Sequence, residues 1–202
     1  DIEKAEECFK ESSQGFLDLF GSMNPDYASS LSNLASIYKD KGELPKALDL
    51  YMKVLDMDKV IYGSDHANYA TSLNNVALLY LQFGNYSLAG KLLVEAKKIR
   101  ANTLGNYHPL YIKTVNDLGL YYMIVKDYEA AMEAFDHALD AEIKHMQDIF
   151  PVLTDNQRKL YFDETRYNIG RFCALAFADE NIDSKYANNA LNHFLNTRGI
   201  LF

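Results

Sequence analysis

The chain has 202 residues, 49% hydrophobic and 24% charged, with a net charge of −8, 15 Tyr, 11 Phe and no Trp. That apolar fraction excludes a disordered chain, and the acidic balance argues against a general nucleic-acid binder, which needs a basic surface to displace counterions. No run of about 18 apolar residues exists to span a bilayer, and only 10 Gly and 4 Pro disfavour an all-β protein rich in tight turns.

The chain opens at Asp1 inside a charged helical pattern, DIEKAEECFK. It therefore reads as a piece of a longer protein, with any targeting signal out of view. Residues 1–22 form the first predicted helix, with Ala5 and Phe9 on one face. Next, Leu31, Leu34, Ala35 and Tyr38 recur at three- and four-residue steps, which is one apolar helical face. Lys41-Gly42 breaks that pattern. A further helix begins near Pro45, where a missing N–H costs nothing, and carries Ala47, Leu50, Tyr51, Val54 and Leu55; Gly63 to His66 closes the unit.

The same text then repeats with a period of 42 residues. Tyr27, Tyr69 and Tyr111 share a register, as do Tyr38, Tyr80 and Tyr122; Ala35, Ala77 and Gly119; and Ala5, Ala47, Ala89 and Ala131. Phe9, Tyr51, Leu93 and Phe135 form another column, and Gly42 pairs with Gly84. A fixed period of this size marks a helical-repeat protein. The small residues let helix axes approach while Tyr and Leu fill the space around them. The expected parts are 1–22, the second helix of a truncated unit; full units at 26–67, 68–109 and 110–150; and a helical pair or linker at 151–202. The repeat fades after Ile143, and Thr154 with Gln157 is a capping box opening a helix over about 155–178. A polar loop at 179–183 and a last helix complete the reading.

These columns resemble the tetratricopeptide repeat (TPR): Leu31, Leu34-Ala35, Tyr38, Ala47 and Tyr51 stand at that family's consensus positions, with Leu or Val in place of its frequent Trp. The 42-residue length, Ser72 to Tyr80 and the Gly105 to Pro109 linker are similar to the kinesin-light-chain type of repeat. The resemblance implies an all-α fold, an α-α superhelix or TPR solenoid of stacked antiparallel helix pairs. The tail, Phe150 to Arg158 and Asn189 to Leu201, is similar to the segment that precedes a CHAT (caspase-like peptidase) domain in bacterial TPR–CHAT proteins, with Arg198 where that family has Lys.

In TPR folds the first helix of each pair lines a concave groove. The groove positions implied by the resemblance include Asn33, Lys39, Thr71, Asn74, Asn75, Leu78, Gln82, Lys113, Asn116 and Asp117, with Ser29, Ser32, Ser36 and Leu120 beside them. An Asn amide both donates and accepts, so a ladder of Asn can pair with the backbone of an extended peptide whatever its sequence. The alternative is that Asn33, Asn75 and Asp117 bond the neighbouring repeat. Leu78, Leu120 and Met123 form either an apolar floor for a ligand or buried packing. Lys91, Lys97, Lys98 and Arg100, late on one helix, read as a solvated helix C-terminus favoured by the macrodipole, or else as a docking patch.

No catalytic, metal or cofactor set is expected. His66 and His108 share a linker column and read as turn stabilisers. His137 and His145 match no zinc spacing, and Cys173 sits in an apolar run with the character of a small hydrophobe. The expected function is a non-enzymatic interaction module, binding a peptide or partner protein in the groove, as the recognition part of a CHAT-type peptidase protein. The alternative is a self-associating scaffold, a homo-oligomer pairing through an apolar face of Phe9, Phe16 and Leu19. No nucleic acid or membrane partner is expected, and the expected location is cytoplasmic.

Overall fold

A computed structural model describes residues 2–176 together with Lys185, Tyr186, Asn188, Asn189, Asn192 and His193. The elements are α1 (Ile2–Phe20), α2 (Pro25–Asp40), α3 (Leu44–Tyr62), α4 (Ala67–Gln82), α5 (Tyr86–Leu104), α6 (Pro109–Ile124), α7 (Tyr128–Ile149), a 3-10 turn (Phe150–Val152) and α8 (Asp155–Ala176). No strand occurs among the described residues. The expected polar loop at 179–183 lies outside them, as do residues 177 and 178 and most of the expected last helix; its six described residues are helical.

Side-chain caps set most helix starts. Asn24 Oδ1 accepts from the backbone N–H groups of Asp26 (2.9 Å) and Tyr27 (3.1 Å) at α2. His66 Nδ1 accepts from Asn68 N (3.1 Å) at α4, and His108 Nδ1 accepts from Leu110 N (3.1 Å) at α6. The linker histidines thus satisfy helix-terminal donors that have no intrahelical acceptor. Asp127 Oδ1 caps α7 through Ala130 N (3.2 Å). The Thr154–Gln157 box forms in both directions: Thr154 N donates to Gln157 Oε1 (3.0 Å), and Gln157 N donates to Thr154 Oγ1 (3.4 Å). α3 has no side-chain cap and carries Pro45 in its first turn instead.

The chain divides into two compact units, Asp1–Thr103 and Leu104–Phe202. In the first, Tyr27, Ala28 and Leu31 of α2 pack on Val54 and Met57 of α3, with Phe16 and Leu17 of α1 against them. Ala35, Ala47 and Tyr51 then meet Val76 and Leu79 of α4. Tyr69, Ala70 and Leu73 of α4 close on Ala96 and Ile99 of α5. In the second unit, Ala131, Met132, Phe135 and Leu139 of α7 pack with Ile169 and Phe172 of α8 and with Tyr186. Ala35, Ala47, Ala77, Ala89 and Ala131 are all fully buried, as close helix approach requires. The Tyr27, Tyr69 and Tyr111 column is buried too, whereas Tyr86 and Tyr128 stand exposed at the starts of α5 and α7.

The tail is pinned to α7. His193 Nε2 lies 2.7 Å from Asp136 Oδ1, and Asn189 Nδ2 donates to Asp136 Oδ2 at 2.6 Å. The Phe172 ring meets the rings of Tyr186 and His193 edge to face.

Candidate functional site

A polar cleft in each unit uses the same repeat register. The first, of about 210 Å³, lies among α2, α3 and α4. α2 contributes Ser29, Ser32 and Asn33; α3 contributes Asp58 and Tyr62; α4 contributes Asn68, Thr71 and Ser72. The second, of about 470 Å³, lies among α6, α7 and α8, with Lys113, Asn116, Asp117 and Leu120 from α6, Glu142 and His145 from α7, and Tyr161 and Asn168 from α8. Two periods on in the sequence, Ser29 becomes Lys113, Ser32 becomes Asn116, Asn33 becomes Asp117 and Asp58 becomes Glu142. The clefts are therefore two editions of one surface, formed by the first helix of a pair, its second helix, and the helix that follows.

The expected groove residues separate on this surface. Asn33 and Thr71 line the first cleft; Lys113, Asn116 and Asp117 line the second. Lys39, Asn75 and Leu78 are half-buried and Gln82 is exposed. Asn74 departs from expectation: it is 1% exposed and presents no surface to a ligand. Its column mates Ser32 and Asn116 remain in the cleft linings. Leu120 stands in the second cleft, while Met123 packs against the α7–α8 core.

Sequence reasoning missed the charged groups that organise the clefts. Asp58, Arg100 and Glu142 occupy one register of the second helices, and each meets a hydroxyl on another helix. Ser72 Oγ donates to Asp58 Oδ2 (2.5 Å), Arg100 Nη2 donates to Thr71 Oγ1 (2.9 Å), and Thr165 Oγ1 donates to Glu142 Oε1 (2.8 Å). Asn168 Nδ2 adds bonds to both Glu142 oxygens (3.3 and 3.1 Å). Arg100 is 1% exposed, so it does not belong to a solvated basic helix end. Its guanidinium serves the interior, because a buried charge is tolerated only with hydrogen-bonding partners. The signal that could have found this column is charge in all three copies of a register flanked by the buried Val54, Met57 and Ile99.

Burial pushes the Asp58 carboxyl above its usual range, opposed by the Ser72 hydrogen bond and by His66. In the second cleft, burial and repulsion from His108, opposed by Asp148, push the His145 imidazole down. Burial also pushes the Cys173 thiol up, away from the thiolate that nucleophilic chemistry needs. Among the described residues no group of three His, Cys, Asp or Glu could hold a metal ion, and no helix is long and apolar enough to cross a membrane.

Helix pairs in a fixed register, with small residues at the crossings and polar clefts between them, define an α-helical repeat protein. The chain belongs to the tetratricopeptide repeat family: one family model matches residues 1–59 and 26–96, and a second matches 112–142. Its fold is all-α, built from helix pairs of the TPR-solenoid class, and the family's role is protein–protein interaction or scaffolding. Among solved structures, BtubC (BKLC) from P. vanneervenii is similar with a TM-score of 0.74 at 20% identity, covering 100% of this chain and 73% of that one. A Podosopora anserina kinesin-light-chain protein of nearly identical TPR-like repeats gives 0.58 at 18% identity, covering 99% and 87%. MamA gives 0.52 at 14% identity, covering 100% and 89%. No curated protein sequence matches significantly.

Proposed function

We propose that the chain binds an extended segment of a partner protein along the polar faces of its first-in-pair helices, with the repeats bounded near 26–67, 68–109 and 110–150. The supporting observation is the recurrence of one cleft in both units, lined at matching positions by Ser32 and Asn33 in the first and by Asn116 and Asp117 in the second. Among the described residues neither the Asn33 nor the Asn116 side chain has a hydrogen-bond partner, and both lie in the cleft linings, which suits their amides to pairing with a peptide backbone. The test is a peptide selected by display on the whole chain, measured by calorimetry against Asn33→Ala with Asn116→Ala. Affinity should fall about tenfold or more, each lost pair of amide bonds contributing roughly 0.5–1.5 kcal/mol, with the melting temperature unchanged. Undiminished affinity sinks the reading.

The finer setting, recognition on behalf of a CHAT-type peptidase, rests on the tail motif. Part of that motif is explained by the fold itself, since Arg158 Nε donates to Phe150 O at 2.9 Å and ties the 3-10 turn to α8. The coding sequence downstream of Phe202 tests this setting directly.

A second reading, self-association, is favoured by Leu19 (76% exposed) and Phe20 (61% exposed) at the end of α1. Phe16, by contrast, is packed against α2 and α3. Sedimentation of Leu19→Ser with Phe20→Ser against the parent decides it: a parent that is monomeric at high concentration removes this reading.

A further inference from the structure

The carboxylates of Asp58 and Glu142, which share one register of the second helices, differ in one respect. Glu142 is supplied with protein donors from α8, Thr165 and Asn168, and shares its cleft with Lys113. Asp58 is 6% exposed, yet among the described residues its carboxylate accepts a single hydrogen bond, from Ser72. An ionised carboxylate offers about four acceptor positions, and burying one without compensation is costly. The lining of this cleft carries one formal charge, that of Asp58, and also includes the oxygen-bearing side chains of Ser29, Ser32, Asn33 and Tyr62. Arg100 is engaged with Thr71 and is not part of the lining.

A lone carboxylate with several neutral oxygens suits a group that carries one positive charge and several N–H donors. A divalent metal would want more anionic ligands than this. We propose that the first cleft is a subsite for a basic side chain, lysine or arginine, of the bound partner, with Asp58 as the counter-ion and the hydroxyls accepting its remaining N–H groups. A guanidinium brings five donors and an ammonium three, which is the complement that α8 supplies from within the protein in the second unit. The inference deepens the groove reading and rests on it for the identity of the ligand as a peptide. The cleft chemistry can be tested apart from it.

The experiment titrates the whole chain, followed by amide NMR, with N-acetyl-arginine methylamide, N-acetyl-lysine methylamide and, as controls, the norleucine and glutamate analogues. The two basic probes should shift the amides of Thr71, Ser72 and Asn33 saturably while the controls leave them in place. Asp58→Asn should weaken the basic probes at least tenfold at an equal or higher melting temperature. Ser72→Ala, which keeps the charge, should retain binding within a few-fold. Equal shifts with norleucine or glutamate, shifts away from the cleft, or full affinity in Asp58→Asn would each overturn the proposal. The groove reading fails separately. A display-selected peptide whose basic residues tolerate replacement by norleucine keeps that reading and removes this one. Basic probes that bind when no peptide does keep this one and remove that.

Discussion

The Cβ that Gly119 lacks would lie 2.5 Å from Cε1 of Phe135 and 2.7 Å from its Cζ. One repeat earlier the same two registers hold Ala77 and Leu93, both fully buried; in the first repeat they hold Ala35 and Tyr51, buried in one cluster. Gly119→Ala gains roughly 1 kcal/mol of helix propensity but overpacks the ring, at a cost of about 1–3 kcal/mol. Urea unfolding should show net destabilisation of about 1 kcal/mol. Adding Phe135→Leu should recover much of it, and strictly additive single and double variants would show that the two columns are not coupled.

Lys126 sits at φ +63 in the turn before α7, the register that Gly42 (φ +77) and Gly84 (φ +76) occupy in the earlier repeats. The left-handed conformation costs a side-chain-bearing residue about 1–2 kcal/mol, and glycine gives back roughly 0.5–1 kcal/mol through the unfolded chain. Lys126→Gly should therefore stabilise by about 0.5–1 kcal/mol. Lys126→Ala, which removes the charge and keeps the strain, should not. A gain in the alanine variant equal to that in glycine would assign the effect to charge instead.

The 42-residue period made the helices, their buried faces and the linker caps legible, because each rests on spacing that copies itself. It could not show which copy of a column its neighbours cover. Ser32, Asn74 and Asn116 share one register, yet Asn74 alone of the three is buried. The Asp58, Arg100 and Glu142 column escaped notice for a related reason. A groove read only from the first helix of each pair ignores charges on the second, and exposed charge is the commoner fate of such residues. Lys126 was hidden because nothing in a lysine signals a positive φ until it is aligned with two glycines.

The linker histidines yield a graded prediction. Both cap a helix through Nδ1, but the His66 ring also stacks on Tyr62 with centroids 4.7 Å apart. Loss of an N-cap costs about 1 kcal/mol, and an aromatic pair adds roughly 0.5–1.5 kcal/mol. His66→Ala should therefore destabilise more than His108→Ala, and His66→Asn should restore the cap but not the stack. Thermal melts that rank the two alanine variants equally would remove the stacking contribution.

Glu6 ties α1 to the α2–α3 turn. Its carboxylate accepts from Lys10 Nζ (2.6 Å) and Lys41 Nζ (2.7 Å), and Lys41 also approaches Glu43, which binds Lys46. The hydrogen bonds from Lys10 and Lys41 hold the Glu6 carboxyl at about 2, well below its usual 4.5. A depressed carboxyl stabilises the fold fully above its unfolded value, and that contribution is lost as pH falls through the folded value. The melting-temperature gap between the parent and Glu6→Gln should be constant near neutral pH and close between pH 4.5 and about 2. The same contact raises both lysines above 10.5, so the gap should narrow again in strong alkali, where the ammonium groups are lost. Salt should shrink it throughout, since the network lies at the surface. Melts of both proteins at pH 7, 4 and 2.5 in low salt check the acid limb. A gap undiminished at pH 2.5 relative to pH 7 would mean that Glu6 holds α1 through packing of its stem and not through its charge.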